Sequence, residues 1–479
     1  MTIGIFSVGL ATAQGDVAKI LSASKLQIPA ALPWQSNRWT SCEVCRPALG
    51  MDSNISGMQR WQRLARMALE DCLGGQWVSP ETPLIVASSN GGADVVEVEG
   101  WRDAFDTQSL LRDTPWAGQS LPVVSGSCAS GLQALYLAEK LMANGHDKVV
   151  VLAADILSPA SHDNFEALRV LSARPAPWQP VNDGFIPGEA AVALILSRDS
   201  GEAPQLSGPI LRHDLGGNGG LSGVLAGLSL IAPELIIGLG SGPPETDELE
   251  LNAIGKHFDG AVPVTTPLLH FGHTNGASGL LSVALGMLAQ RTSGWFPSLS
   301  MNGKVASDGR PLSSGVAKAD TVIVCRSLSG ACAAAGVSKK SQPHASRQTE
   351  EKAWGTTEAA IPLMSRVLRQ IAEAALQKRP AIPPDLLVVR LESPISPPPE
   401  AQIGGRLLPS AILEITPGFI PQLIARSWGY SGAAICLVGD GRADAAANRL
   451  LQACGDAGVM VCSVKIRGSG ERRHVDWNT

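Results

Sequence analysis

Residues 123–145 constrain the fold of this chain more than any other stretch. They open with a short β-branched run, pass through small residues around Cys128, and continue with apolar residues near helical spacing until Gly145. This pattern predicts a strand, a tight turn and a helix, with Cys128 in the turn. A helix N-terminus favours a thiolate and can hold a carbonyl oxygen that gains negative charge. We therefore expect Cys128 to be a nucleophile, although an isolated cysteine is more often a buried structural residue.

Three segments, taken in order, resemble the β-ketoacyl synthases, the condensing enzymes of fatty-acid and polyketide assembly. Residues 126–135, Gly-Ser-Cys-Ala-Ser-Gly-Leu-Gln-Ala-Leu, resemble the nucleophile segment of that family. Residues 182–191, Asn-Asp-Gly-Phe-Ile-Pro-Gly-Glu-Ala-Ala, resemble its Arg-Asp-Gly-Phe-x-x-Gly-Glu-Gly-Ala segment. Residues 272–279, Gly-His-Thr-Asn-Gly-Ala-Ser-Gly, are similar to its Gly-His-Thr-x-Gly-Ala-Ala-Gly segment around a catalytic histidine. The resemblance extends over residues 1–337.

The resemblance implies an α/β, thiolase-like fold of two similar mixed-sheet halves over residues 1–337. Strand and helix patterns alternate along this part of the chain, as such a fold requires. Residues 338–352 are polar, which predicts a linker. The patterns return over residues 353–479, the C-terminal segment, and predict a smaller α/β domain that we interpret as a degenerate thiolase-like half.

Local patterns also predict individual elements. The expected elements are a first strand at 3–10, a loop over 30–50, helices at 56–73 and 163–172, a last strand of the thiolase-like part at 321–325, and C-terminal strands at 386–391, 433–438 and 459–464.

The resemblance assigns the chemistry to Cys128 and His273. In the family, two histidines donate hydrogen bonds to the thioester oxygen while a malonyl group loses carbon dioxide, and a lysine supports the site. Leu239 stands at the position of the first histidine, and Leu268 at that of the lysine. Leucine donates no hydrogen bond, and removal of one oxyanion-hole donor typically costs about 100- to 1000-fold in rate. His270 is a candidate auxiliary group.

A second departure from the family lies near the end of the thiolase-like part. Ser327, Leu328, Ser329 and Gly330 replace the Gly-Phe-Gly-Gly gating loop of the family and are expected to change how acyl chains enter the substrate pocket. In the 182–191 segment, the resemblance implies a supporting role for the acidic side chains and no direct role in catalysis.

Composition excludes several other classes of function. The 479 residues carry a formal charge of −5, which provides no basic field for nucleic acid, and no apolar run is long enough to span a membrane. The N-terminus lacks the basic start of a secretion signal, so we expect a cytoplasmic protein. Nine cysteines show no disulfide rhythm, and Cys42 and Cys45 form a lone pair without zinc-ligand partners. We expect no metal and no cofactor.

The resemblance also suggests partners. It implies an acyl carrier protein that bears an acyl thioester, and a homodimer or a heterodimer with a ketosynthase. Trp101, Phe105 and Trp116 give the region before the nucleophile the aromatic character of an interface.

Three functions remain open from the sequence. The first is an acyltransferase that loads an acyl chain on Cys128 in fatty-acid or polyketide-type biosynthesis but is impaired in decarboxylative condensation. The second is a non-catalytic partner of a ketosynthase, similar to a chain-length factor. The third is an elongating 3-oxoacyl synthase with reduced machinery.

Overall fold

Most of the chain is described by the computed structural model. The described residues are 3–22, 32–34, 42–52, 55–93, 104–198, 201–215, 219–228, 232–240, 244–291, 296–297, 306–309, 311–312, 315–316, 319–339, 366–392, 402–403, 406–407, 416–453, 458–467 and 474–478.

The strands are β1 (Ile3–Ala11), β2 (Leu32–Trp34), β3 (Cys42–Cys45), β4 (Leu84–Ala87), β5 (Val123–Val124), β6 (Lys148–Asp155), β7 (Ala190–Ser197), β8 (Gln205–His213), β9 (Leu235–Ile237), β10 (Val264–Thr265), β11 (Phe296–Pro297), β12 (Gly315–Val316), β13 (Thr321–Arg326), β14 (Ala331–Ser338), β15 (Leu386–Leu391), β16 (Gln402–Ile403), β17 (Arg406–Leu407), β18 (Ala433–Val438), β19 (Val459–Arg467) and β20 (His474–Asn478). The helices are α1 (Val17–Ser22), α2 (Gly57–Leu73), α3 (Thr107–Leu110), α4 (Ser130–Ala143), α5 (Pro159–Leu168), α6 (Gly219–Ala226), α7 (Pro244–His257), α8 (Leu268–Phe271), α9 (Ser278–Arg291), α10 (Arg366–Gln377), α11 (Phe419–Trp428) and α12 (Asp444–Ala453).

Two halves with the same strand order build the thiolase-like part. The first half has the order β5-β4-β6-β7-β1, and the second has the order β10-β9-β13-β14-β8. In each half the first two neighbouring pairs are parallel and the last two are antiparallel. Antiparallel pairing of β1 with β8 joins the halves into one sheet. The expectation of two similar mixed-sheet halves is confirmed.

The helices α4 and α9 hold equivalent positions in the two halves and pack on each other. Each begins next to the same sequence, Ala-Ser-Gly-Leu, at residues 129–132 and 277–280. A Cβ atom on Gly131 would lie 2.9 Å from the Leu280 Cβ, and one on Gly279 would lie 2.7 Å from the Leu132 Cγ. The two glycines therefore let the helices approach closely, which brings the turns that precede them together.

The sheet is buried on both faces along its central strands. In β6, Val149 and Val151 belong to the apolar cluster around α4, whereas Val150 and Leu152 belong to the cluster on the opposite face. This explains why the sequence of β6 is a continuous apolar run. No helix among the described residues is long and apolar enough to cross a membrane.

The C-terminal segment extends this sheet and does not form a separate one. Its strands follow β5 in the order β18-β15-β19-β20, and β18 pairs antiparallel with β5. The predicted strands at 386–391, 433–438 and 459–464 correspond to β15, β18 and β19. Residues 340–352 of the predicted linker lie outside the described residues, and β14 reaches Ser338, so the domain boundary stays a prediction.

Other expectations about local structure need correction. The strand predicted at 321–325 is not the last one, because β14 follows it and pairs with it antiparallel. The sequence of β14 is rich in alanine, which suits a strand covered on both faces by helices but gives little strand signal. The region 30–50 contains the hairpin β2–β3. The helix predicted at 163–172 is α5, which begins earlier because the Ser158 hydroxyl caps it and ends before Arg169, whose φ is 56°.

The aromatic residues expected at a dimer contact are interior. Phe105 and Trp116 are buried in the same apolar cluster as α2, and the Trp116 Nε1 donates to the Thr82 carbonyl at 2.8 Å. Trp101 lies outside the described residues. Phe105 and Trp116 are therefore core residues, so their interpretation as interface residues is wrong, whereas that of Trp101 stays a prediction.

Candidate active site

Cys128 lies in a strained turn between β5 and α4. Ser127, which precedes it, has a φ of 55°, a conformation that costs a non-glycine residue about 1–2 kcal/mol. The Ser130 hydroxyl holds this turn, since it accepts from the Gly126 N–H at 2.9 Å and donates to the Ser127 carbonyl at 2.6 Å. The predicted strand, turn and helix are confirmed, and the turn presents the sulfur towards the second half of the fold.

The second half places His273 against Cys128. The His273 Nε2 lies 3.3 Å from the Cys128 Sγ, although the two residues are 145 positions apart in the chain. Cys128 lies between β5 and α4, and His273 lies between β10 and α9. These are equivalent connections, since β5 and β10 are equivalent edge strands of the two halves. The pairing of the two halves therefore brings together the two residues to which the resemblance assigns the chemistry.

Burial keeps both groups neutral near pH 7. It raises the pKa of the Cys128 thiol to about 12, although backbone N–H groups of Leu328 and Cys128 at the sulfur lower it. It also lowers the pKa of His273 to about 4. The expectation that the helix N-terminus favours the thiolate is wrong for this site, because desolvation of Cys128, a residue that is only 7% exposed, outweighs it.

A hydrogen bond to the His273 ring determines which ring nitrogen carries the proton. The Asn275 backbone N–H donates to Nδ1 at 3.3 Å, so the proton of the neutral ring is on Nε2. The ring stacks on Phe185 with centroids 4.2 Å apart. A neutral imidazole with its proton on Nε2 is a hydrogen-bond donor towards Cys128 and any group bound there.

The 182–191 segment holds the backbone of His273. The His273 N–H donates to the Ile186 carbonyl at 2.7 Å, and the Gly188 N–H donates to the His273 carbonyl at 3.0 Å. Glu189 is fully buried and pairs with Arg60 at 2.6 Å. These contacts agree with the supporting role that the resemblance implies for this segment.

The loop of residues 327–330 reaches the sulfur through its backbone. The Leu328 N–H hydrogen-bonds to Cys128, whereas the Leu328 side chain is 45% exposed. The Ser327 and Ser329 hydroxyls lie 2.7 Å apart and the Ala331 N–H donates to the Ser327 hydroxyl at 3.0 Å, which fixes the loop. Sequence reasoning missed the N–H of Leu328, because a backbone donor leaves no side-chain signal.

The two leucines expected to replace polar groups are buried. Leu239 belongs to the same apolar cluster as Cys128, and Leu268 belongs to the neighbouring cluster in the second half. Glu250 accepts from the N–H groups of Leu239 and Gly240 at 2.9 and 3.0 Å and keeps the backbone of this loop in place. Burial raises the pKa of Glu250 to about 6. The Glu250 carboxylate therefore holds the backbone at Leu239 and Gly240, while the Leu239 side chain itself is apolar.

His270 lies on α8, three residues before His273. Its ring is 2% exposed and lies at an angle of 68° to the Phe271 ring, and its carbonyl accepts from the Gln14 Nε2 at 3.1 Å. The auxiliary role of His270 stays a prediction.

Asp155 is a site residue that sequence reasoning missed. It ends β6 and is completely buried, and burial raises its pKa. Its carboxylate accepts from the Gly276 N–H at 2.6 Å and from the N–H groups of Ser89 and Asn90. It therefore ties the turn after His273 to the end of β4. The sequence did contain a signal for this role, because Asp155 is an acidic residue at the end of an apolar strand.

Comparisons with known proteins agree with this fold. Residues 116–201 match the β-ketoacyl synthase N-terminal domain. The chain is 35% identical over 111 residues to the ketoacyl synthase alpha subunit of tetracenomycin polyketide synthase from Streptomyces glaucescens, which covers 21% of this chain and 26% of that protein. It spans only 11% and 3% of two other polyketide synthases that it matches.

Solved structures extend the likeness of fold. The structure "PfaC Keto synthase-Chain length factor" superposes with a TM-score of 0.68 at 12% identity, over 97% of this chain and 74% of that chain. The ishigamide ketosynthase/chain length factor superposes with a TM-score of 0.57 at 15% identity, over 71% of this chain and 99% of that chain. These likenesses confirm the thiolase-like α/β fold expected from the sequence.

Proposed function

We propose that this chain is an acyltransferase of the β-ketoacyl synthase type that takes an acyl chain from an acyl carrier protein thioester onto Cys128. The pathway would be of the polyketide or fatty-acid type. The observation that carries the proposal is the 3.3 Å contact between the Cys128 Sγ and the His273 Nε2, next to two backbone N–H groups at the sulfur.

The loading step is a thioester exchange. The Cys128 sulfur forms a bond to the acyl carbon, the bond between that carbon and the carrier sulfur breaks, and the carrier thiol takes up the proton that Cys128 releases. Negative charge develops on the acyl oxygen on the way. The N–H groups of Cys128 and Leu328 are the donors available for this oxygen, and neither depends on the side chains that differ from the family.

Decarboxylative condensation would be impaired. It needs donors at the malonyl thioester oxygen, where negative charge develops as carbon dioxide leaves. The Nε2–H of His273 supplies one donor, whereas Leu239 and Leu268 supply none. If each missing donor costs about 100- to 1000-fold, extension would be slow compared with loading.

Loading can be measured by intact mass. The chain is incubated with a carrier protein that bears a short acyl thioester, and the expected result is one acyl group per chain, located on Cys128 by peptide mapping. Cys128→Ala is the matched control and should remain unmodified. An unmodified native chain, or an acyl group on another residue, would contradict the proposal.

A second candidate is a non-catalytic partner of a ketosynthase, similar to a chain-length factor. The high pKa of the Cys128 thiol and the apolar side chain of Leu239 favour it, since both weaken the chemistry at this site. The loading experiment separates the two functions, because a non-catalytic partner would carry no acyl group and would increase product formation only with a ketosynthase present.

A further inference from the structure

The C-terminal segment repeats the design of the two halves. Its strand order, β18-β15-β19-β20, matches β5-β4-β6-β7 and β10-β9-β13-β14. The directions also match, since β18 and β19 are both parallel to β15, and β20 is antiparallel to β19. Each of the first two halves has a fifth strand, β1 or β8. The described residues of the C-terminal segment contain no strand at that position. It is therefore a third half with four of the five strands.

The third half meets the first half through equivalent strands. The strand β18 is the counterpart of β5, and the two pair antiparallel with Val124 opposite Leu437 and Val123 opposite Val438. Two units of the same design that pair antiparallel through the same strand are related by an approximate two-fold axis, which is how identical subunits form an isologous dimer. Here the pairing lies within one chain. It covers an edge that would otherwise be open to a second copy.

The third half also contacts the turn that carries the nucleophile. The Ser125 N–H donates to the Cys436 carbonyl at 2.9 Å. A Cβ atom on Gly418, just before α11, would lie 2.8 Å from the Gly126 Cα and 2.9 Å from the Ser127 nitrogen. The backbone of the third half is thus in direct contact with the residues that position Cys128.

A further contact reaches the other side of the site. Gln422, on the first turns of α11, is 4% exposed and packs against Gly330 in the loop whose Leu328 N–H faces the sulfur. Residues 418–422 therefore touch both backbone segments that surround Cys128.

We propose that the C-terminal segment is a built-in substitute for a partner subunit, which occupies the β5 edge and positions the Cys128 turn through residues 418–422. The extent of structural likeness supports this. Superposition on the ishigamide ketosynthase/chain length factor covers 71% of this chain, about the length of the thiolase-like part. Superposition on the PfaC structure covers 97% of this chain and so includes the third half. The proposal does not depend on loading activity.

Two glycines of the third half provide a matched test of the contact. Gly418→Ala would push on the Gly126–Ser127 backbone, whereas a Cβ atom on Gly441 meets nothing within 4 Å. The displaced turn should admit water to Cys128 and increase its alkylation by iodoacetamide at pH 8 at least fivefold, while Gly441→Ala leaves the rate unchanged. Equal rates for the two variants, with melting temperatures like that of the native chain, would overturn the positioning role.

A cross-link tests the covered edge and does not rely on reactivity. The Ser125 N–H donates to the carbonyl of Cys436, which lies opposite it in the antiparallel register. The adjacent residues Val124 and Leu437 therefore form the closely spaced type of pair, with Cα atoms about 4.5 Å apart, within the range for a disulfide. The full chain with Val124→Cys and Leu437→Cys should form this disulfide within one chain, as mapped from its peptides after oxidation. The single variant Val124→Cys should form no covalent dimer. A link between two copies at these positions, or no link in a folded chain, would overturn the proposal.

Discussion

A rise in pH from 7 to 9 is the perturbation that most sharply tests the electrostatics of the site. Burial raises the pKa of the Cys128 thiol from an ordinary value of 9.0 to about 12. At pH 7 this leaves about one thiolate in 10⁵ chains, compared with about one in 100 for an ordinary thiol. Ionisation at pH 7 then costs about 7 kcal/mol, at roughly 1.36 kcal/mol per pKa unit.

The sign of the effect follows from the chemistry of the thiol. The thiolate is the reactive form, so the alkylation rate of Cys128 should rise about tenfold per pH unit and about 100-fold between pH 7 and 9, without a plateau. The imidazole of His273 has a pKa of about 4 and stays neutral throughout this range, so it should add no inflection.

The assay is alkylation with iodoacetamide followed by quantitative peptide mapping at each pH. The denatured chain serves as the reference for an ordinary thiol and should react faster than native Cys128 at pH 7. A native rate that reaches its plateau near pH 7 would mean that Cys128 and His273 form an ion pair, and it would refute the reasoning from burial.

Two substitutions and one cleavage test other regions of the chain. Leu239→His should restore part of the decarboxylation of a malonyl thioester, as measured by release of labelled carbon dioxide, but not all of it while Leu268 remains. Asp155→Asn should lower the free energy of unfolding by about 2–3 kcal/mol in urea, because the carboxylate that accepts from Gly276 is replaced by a weaker acceptor that also carries donors; a change below 0.5 kcal/mol would contradict its anchoring role. Limited proteolysis should cut within residues 338–352 and leave two fragments that co-elute, since β5 and β18 remain paired; fragments that separate without denaturant would contradict this pairing.

The sequence predicted those parts of the fold in which a strand or helix carries its own signal. Apolar runs in the sequence predicted the strands β1, β4, β6 and β13, and a helical period of apolar residues predicted α2. The strand β14 was missed because its alanines and glycine show no strand propensity, and it exists because small side chains fit between helices on both faces. The strand β8 was missed too, as its run is interrupted by Gly208 and Pro209. Tertiary packing decided both strands.

The sequence predicted which residues form the site but not how deeply they are buried. The resemblance assigned the chemistry to Cys128 and His273, and the structure places the Cys128 Sγ 3.3 Å from the His273 Nε2. The sequence could not give the degree of burial that raises one pKa and lowers the other, because burial depends on residues far apart in the chain. It also could not predict that β18 would pair with β5, because edge strands of similar design carry no local sign of their partner.

The proposed function requires that this chain load an acyl group but extend it poorly. The most direct measurement supplies one preparation of the native chain with an acyl carrier protein thioester and with labelled malonyl carrier protein, and follows acylation of Cys128 by intact mass together with release of carbon dioxide. We expect acylation, with carbon dioxide released at least about 100-fold more slowly, since His273 is the one donor left of the three polar groups that the resemblance implies. Carbon dioxide release and a condensed product at rates similar to that of acylation, by the chain acting alone, would contradict it.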